Sequence, residues 1–542
     1  MKRHSQKNSR QLTFCLLCVS LNLLATLGAR AAQINNTLYV DSVGGADSNP
    51  GTSARPLKTI ARAAQLALSN YQANKKTQIL IQPGTYRESI SLLSKARPSD
   101  GGISFEPASP GAVILSGADV WAGWQPDPAA AGQYVHPWPY HSGPCNLPPN
   151  WPPLTDIVRR REMIFVNGSA LAPALSGDNL PAGSFFIDEA NGRAVIRPAS
   201  GIEATSATIE ISTRPRLLDS HGVSHLTIRG LSFIGASSCV SAGAVEIWDG
   251  SNVLVEDSSF QWNNWDGLKL FNSTNSIIRR TVSSHNGSAG FIGHQLTGIT
   301  FEDMETSYNN WRGALGKFYY FENGGAKLMR THNSTFKNFR AVANQTMGLW
   351  FDSDNSNIVV EESYLCRNEI NGVFLEANQG PITIKNSKLC NNGREGVLSF
   401  ATQNVTLTGN LLYANGGAQV FIDERNPFRS DHDWETGAPY TASSIHWTLS
   451  QNTIVGDKDK QGLIKRFPPP PGSPTQFLET FSSDSNAWYH PTDKNVFVLD
   501  PGGPGHKTRN VAFDEWKSST GQDQHSTFDQ PSVDLAGMCA AP

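Results

Sequence analysis

From Gly267 onward the apolar and polar positions of the chain fall into one recurring phrase. A Gly opens a short stretch in which alternate residues are apolar: Gly267-Leu-Lys-Leu-Phe271, Gly325-Ala-Lys-Leu-Met329, Gly348-Leu-Trp-Phe-Asp352, Gly372-Val-Phe-Leu-Glu376 and Gly396-Val-Leu-Ser-Phe400. Alternation with period 2 predicts strands. The phrase recurs after 23 residues from Gly267 to Gly290 and from Gly325 to Gly348, then after 24 to Gly372 and 24 again to Gly396. That interval is the length of one coil of a parallel β-helix. Apolar runs at 226–233, 253–260, 277–282, 299–304, 358–364, 382–389 and 405–412 supply the other faces of the coils.

Outside this array the pattern changes twice. Near the N-terminus, Leu57, Ile60, Ala61, Ala64 and Leu68 fall on one helical face, with Pro56 before the first turn, and predict a helix that plugs the open end of the coil. The run Ile79-Leu-Ile-Gln-Pro-Gly-Thr-Tyr86 reads as the first strand and turn of the helix proper. Between 121 and 213 the coil period is lost. Stretches at 159–166, 183–190 and 193–198, with Asn167-Gly168 and Asn191-Gly192 turns, predict an inserted small antiparallel β domain. The expected division is 1–31 export signal, 32–120 cap and first coils, 121–213 insert, 214–425 main helix, and 426–542 last coil and loops. The fold class is therefore all-β, a parallel β-helix with an N-terminal capping helix and the insert.

Composition narrows the partners. Charged residues are 17% and the formal net charge is −3, which leaves no basic stripe for nucleic acid. Lys2, Arg3, Lys7 and Arg10 precede a mostly apolar run from Leu12 to Leu27 and a small-x-small Ala29-Arg30-Ala31, the pattern of a cleaved secretory signal. No later stretch approaches a membrane span. The expectation is a secreted or periplasmic protein that does not bind membranes. Once Cys15 and Cys18 leave with the signal, five cysteines remain. Cys366 and Cys390, one coil apart in matching contexts, stack either as a disulfide or as an internal thiol ladder.

The phrase from Tyr39 to Ile60, Tyr-Val-Asp followed by Asp-Ser-Asn-Pro-Gly-Thr and Pro-Leu-Lys-Thr-Ile, resembles the mature N-termini of right-handed parallel β-helix carbohydrate-active enzymes of the pectin-lyase-like superfamily. The insert, with Arg-Glu-Met-Ile-Phe-Val-Asn-Gly168 and Phe-Phe-Ile-Asp-Glu-Ala-Asn-Gly192, resembles that of β-helix glycoside hydrolases of the xylosidase and fucosidase type. The resemblance implies a right-handed helix and an insert that walls one end of an active-site cleft. It also implies an Asp and a Glu on neighbouring coils.

Parity supplies the chemistry. The first and third positions after each Gly, such as Leu349, Phe351, Val373 and Leu375, point inward. The second positions then form an outward column of Lys269, Ile292, Lys327, Trp350, Phe374 and Leu398, and the fourth positions one of Phe271, His294, Met329, Asp352, Glu376 and Phe400. Asp352 and Glu376 become outward neighbours. Parallel strands lie about 4.8 Å apart, close to the roughly 5 Å carboxyl separation of retaining glycosidases. Asp354, two residues on, replaces Asp352 if the strand bends. Lys269, His294, Lys327, Trp350 and Phe374 are expected substrate-binding residues. Trp311, in the aromatic run 311–321, is expected either in a sugar-stacking wall or in a hydrophobic lid.

The first reading is a monomeric retaining glycoside hydrolase acting on a poly- or oligosaccharide, with neither metal nor cofactor. The second is a Ca²⁺-dependent polysaccharide lyase, in which Asp352, Asp354 and Glu376 ligate calcium and an outward Lys takes the proton α to a uronate. The third is a non-catalytic glycan-binding β-helix, because this fold alone does not dictate activity.

Overall fold

The computed structural model describes residues 36–140, 143–426, 428–458, 461–467, 477–499 and 509–540. The predicted export signal, Cys15, Cys18 and the Pro468–Pro471 run lie outside them.

The chain coils into a parallel β-helix whose strands pair with their equivalents one turn away. One face stacks Leu349–Asp352, Val373–Glu376, Val397–Phe400, Val420–Asp423 and Ile464–Phe467 in parallel register. A second stacks Ser356–Glu361, Ile382–Lys385, Val405–Thr408 and Trp447–Ser450. The third stacks Arg340–Val342, Tyr364–Cys366, Lys388–Cys390, Leu411–Tyr413 and Thr453–Val455. Leu349, Phe351, Val373 and Leu375 are fully buried in the continuous core inside the coils, so the inward register read from parity holds.

The Gly of the repeat marks where coils approach closely at a corner. A Cβ on Gly348 would meet the Gly372 carbonyl oxygen and the Asn368 amide at 2.6 Å each. Beside this corner runs a buried ladder of amides. Asn263, Asn286, Asn309, Asn344, Asn368 and Asn392 each donate from Nδ2 to the Oδ1 of the next Asn, ending at Asn415, over 2.8 to 3.0 Å. Each rung satisfies polar groups that the turn would otherwise bury unpaired.

The coil begins earlier than the sequence reading placed it, because Asn36–Val40 already pairs in parallel with Lys76–Ile81. The predicted helix runs from Ile60 to Gln72, and the Thr59 side chain caps it by accepting from the Arg62 N–H. The Glu88 carboxylate accepts from the N–H groups of Ile60 and Ala61 at 3.0 and 2.7 Å. Its buried face is Ile60, Ala63, Ala64, Ala67 and Tyr71, whereas Ala61 and Leu68 are only half-buried.

Two small sheets interrupt the coils between Ala118 and Ser212. One joins Ala118–Val120, Ile164–Val166, Ser169–Ala170 and Ile209–Ser212 in antiparallel pairs. The other is built on the Ser184–Asp188 and Arg193–Arg197 hairpin and includes one parallel pairing, with Ala172–Ala174. The strand expected from 159 is confined to Ile164–Val166, because Asp156–Arg159 is helical and Arg160 turns aside to Glu162 and Glu189. Of the two alternatives for Cys366 and Cys390 neither forms as stated, because only Cys366 remains a thiol and the two are not bonded to each other. Cys390 bonds to Cys539 and Cys145 to Cys239, leaving Cys366 a buried thiol. The tail thus reaches Cys390 from outside the coil stack, a contact that coil spacing does not encode. Among the described residues no helix is long and apolar enough to cross a membrane.

Candidate active site

A groove of about 930 Å³ lies over the outward side of the first face. Its floor is the column that parity predicted: Met329, Asp352, Glu376 and Phe400 are register partners on successive strands. The column continues one coil further, to Asp423.

Each carboxylate in it carries its own cation. Lys327 Nζ lies 2.8 Å from Asp352 Oδ2 and 3.6 Å from the centre of the Trp350 ring, and it also donates to the Phe321 carbonyl. Arg429 Nη1 lies 3.0 Å from Glu376 Oε1, and Arg425 forks onto Asp423. Burial pushes the Glu376 carboxyl above the usual glutamate range. The adjacent Asp352 charge pushes the same way, while Lys327 and Arg429 pull it down.

The second outward column is covered. Trp350, Phe374, Leu398 and Phe421 form an apolar cluster outside the coil, with Tyr319 packed on it. Phe374 meets Trp350 and Phe400 at ring separations of 5.1 Å each. The loop 317–322 roofs one side of the groove, and Trp151 of the interrupting segment packs edge-on against Phe321 at 5.0 Å. Half-buried carboxylates beside aromatic faces suit a ligand with apolar rings and many hydroxyls.

Four expected site residues lie elsewhere. Lys269 is 1% exposed, held by Asp266 at 3.1 Å and Glu322 at 3.0 Å; it anchors the roof rather than meeting a ligand. Burial and these ion pairs go together, since an isolated ammonium there would be costly. His294 lies one coil outside the groove, and burial lowers its pKa to about 4. Trp311 turns away from the groove: its indole donates to the His285 carbonyl at 3.0 Å and its ring packs with Met163 and Phe165. It belongs to neither the wall nor the lid, whose residues begin at Lys317.

Asp354 does not share the facing of Asp352. Ser353 and Asp354 both have left-handed backbones, with φ of 54° and 55°, so strand parity stops at Asp352. Asp354 is fully buried and accepts from Gln379 Nε2 and the Trp434 N–H at 2.7 Å each. Side-chain ligand atoms of His332, Asp354 and Asp433 lie within 4.8 Å of one another, a spacing that fits a metal ion. Their acceptors are already engaged by Gln379, Thr436 and the Trp434 N–H. Among the described residues, Asp352, Asp354 and Glu376 do not form a group spaced to hold one metal ion.

Asp423, Arg425 and Arg429 were missed. Val420-Phe-Ile-Asp423 repeats the alternation of Val397-Leu-Ser-Phe400 after 23 residues, but Gln419 stands where the Gly would be, so a search anchored on Gly stops one coil short. Arg429 comes from the hairpin Arg429–His432 and Pro439–Ala442, which interrupts the coils and carries no period.

Residues 243–412 match the family model described as a right handed beta helix region. No curated protein matches the sequence. Among solved structures, the complex of XylC with xylose has a TM-score of 0.65 at 14% identity, covering 89% of this chain and 90% of that one. The A-module of the Azotobacter vinelandii mannuronan C-5 epimerase AlgE6 has a TM-score of 0.50 at 15% identity, covering 87% and 95%. The class these likenesses define is the right-handed parallel β-helix.

Proposed function

We propose that this protein is a carbohydrate-active enzyme, and specifically a retaining glycoside hydrolase in which Asp352 is the nucleophile and Glu376 the acid/base. The observation that carries this reading is the pairing of Asp352 with Glu376 on adjacent strands, one carboxyl paired with a buried lysine and the other raised by burial and its neighbour's charge. One strand spacing is about 4.8 Å, which suits attack on the anomeric carbon without an intervening water. A saccharide ligand also agrees with the neighbours, one bound to xylose and the other an epimerase of mannuronan. Export to the periplasm or medium and a monomeric state belong to the same reading.

In the first step the Asp352 carboxylate bonds to the anomeric carbon as the glycosidic C–O bond breaks, and Glu376 gives its proton to the departing oxygen. In the second, water loses a proton to Glu376 and attacks the same carbon, releasing the sugar and restoring both carboxyls. Lys327 fixes Asp352, and the roof loop covers one side of the groove.

The test uses a panel of aryl and ordinary glycosides. Glu376→Gln is expected to lose ordinary glycosides while still releasing an activated phenol in a burst, and Asp352→Asn to lose both. Chelator-sensitive release of an unsaturated uronate would replace this reading with a lyase.

A further inference from the structure

The groove owes Arg429 to a hairpin that is not part of the coil stack, and the turn of that hairpin is bolted down at one place. Asp433 Oδ1 closes the turn by accepting from the Glu435 and Thr436 N–H groups at 3.1 and 2.8 Å. Its other oxygen accepts from Gln379 Nε2 at 2.9 Å, and the same amide nitrogen donates to Asp354. The Trp434 N–H donates to Asp354, and Thr297 donates to Glu435. Between them sits His332, whose side chain is 3% exposed.

Both ring nitrogens of His332 face acceptors, while the ring packs beside Trp434. Nδ1 lies 2.9 Å from Glu435 Oε2, and Nε2 lies 3.1 Å from the backbone oxygen of Asp354 and 3.5 Å from its Oδ1. A neutral imidazole has one N–H and satisfies one of these sites. Two N–H groups are needed, so the geometry calls for imidazolium. Hairpin, clamp and groove lie in sequence: the clamped turn spans 433–438, and Arg429 stands at the open end of the same hairpin, paired across it with Ala442.

We propose that His332 is a positioning residue: by bridging Asp354 and Glu435 it holds the hairpin so that Arg429 reaches Glu376. This deepens the reading of Glu376 as acid/base and rests on it. The charged groups facing His332 are Asp354, Asp433 and Glu435; those facing Glu376 are Asp352, Lys327 and Arg429. Arg429 pulls the Glu376 carboxyl down, so loosening the clamp lets it rise. The alkaline limb of kcat/KM reports the acid form of the free enzyme.

The experiment compares full-length wild type, His332→Gln, Glu435→Gln, Arg429→Gln and the His332→Gln/Arg429→Gln double variant. Glu435→Gln is included because its exposed site tolerates change if His332→Gln folds poorly. Two measurements are made: the pH profile of kcat/KM, and amide hydrogen exchange of the 429–442 segment. The clamp variants are expected to raise exchange in that segment and to move the alkaline limb up by about half a pH unit or more. Arg429→Gln should move the limb equally without raising exchange at the turn, and the double variant should move it no further. A static limb in both clamp variants overturns the proposal, as does an additive shift in the double variant. Failure of the functional reading is distinguishable, since it shows as full activity in Glu376→Gln while the exchange arm still reads the clamp.

Discussion

Glu376 and Asp352 stand one rung apart in the same outward column, and each is paired with a cation supplied from a different part of the chain. Lys327 reaches Asp352 from the preceding coil, at 2.8 Å. Arg429 reaches Glu376 from a hairpin inserted two coils later, at 3.0 Å. The two acids are thus chemically unlike although the β-helix repeat makes them equivalent in backbone. A column of stacked strands gives spacing; the loops laid over it give each rung its electrostatics.

Lys327 is the first place to test this. Its ammonium touches Asp352, the Trp350 face and the Phe321 carbonyl while remaining 4% exposed. Lys327→Met keeps the stem that covers Trp350 and removes the charge. It is expected to lower kcat by roughly 100-fold, the scale of one preorganised electrostatic contact, with only a modest fall in Tm. Lys327→Met retaining full kcat would remove Asp352 from the chemistry.

The interior side of the same strands sets a second expectation. Leu375 is fully buried between Phe351 and Ser399 on the neighbouring coils. Leu375→Ala should cost about 2 to 5 kcal/mol, through lost transfer energy and the cavity left behind. Denaturant unfolding would check it. A change of only a few tenths of a kcal/mol would contradict the inward register on which the Asp352 and Glu376 facing depends.

How much of this was legible depended on periodicity. Asp352, Glu376, Lys327, Trp350 and Phe374 were readable because each repeats an offset from a Gly that the corner requires. Asp354 was misread because two left-handed residues end the alternation after Asp352. Lys269 occupies the same offset as Lys327, yet its environment is set by Asp266 and Glu322, one of them on a loop with no period. Arg429 and the clamp at His332 lie beyond any local pattern, because their partners are separated by 53 and 103 residues. The two disulfides carry no local signal for the same reason, closing spans of 94 and 149 residues.

Cysteine chemistry gives a third prediction. Burial pushes the Cys366 thiol up to about 12, which leaves it essentially without thiolate at neutral pH. A chain beginning at Ala32 should take up no thiol reagent when native and one equivalent, at Cys366, when denatured without reductant. Peptide mapping would locate the label. Cys539→Ser opens the bond that ties the tail helix Leu535–Met538 to the coil and should cost roughly 2 to 4 kcal/mol. Labelling of Cys390 or Cys539 in the oxidised denatured protein would contradict the pairing.

The last prediction concerns pH and the clamp. Burial alone would lower the pKa of His332, but its hydrogen bonds and charge contacts with Asp354 and Glu435 outweigh that and raise it from 6.5 to about 9. A group raised in the folded state stabilises fully below its unfolded pKa, and that contribution is lost as pH rises through the folded value. Wild type should therefore exceed His332→Gln in stability by the widest margin below pH 6.5, with the gap closing by about pH 9. A shift of this size corresponds to a margin on the order of 3 kcal/mol. Taking the difference between the two proteins at each pH cancels the titration of groups they share. Thermal or urea unfolding at intervals from pH 5.5 to 9.5 measures it. A gap that is constant across the range would mean that His332 packs in the clamp without its charge, and a gap that widens with pH would reverse the assignment.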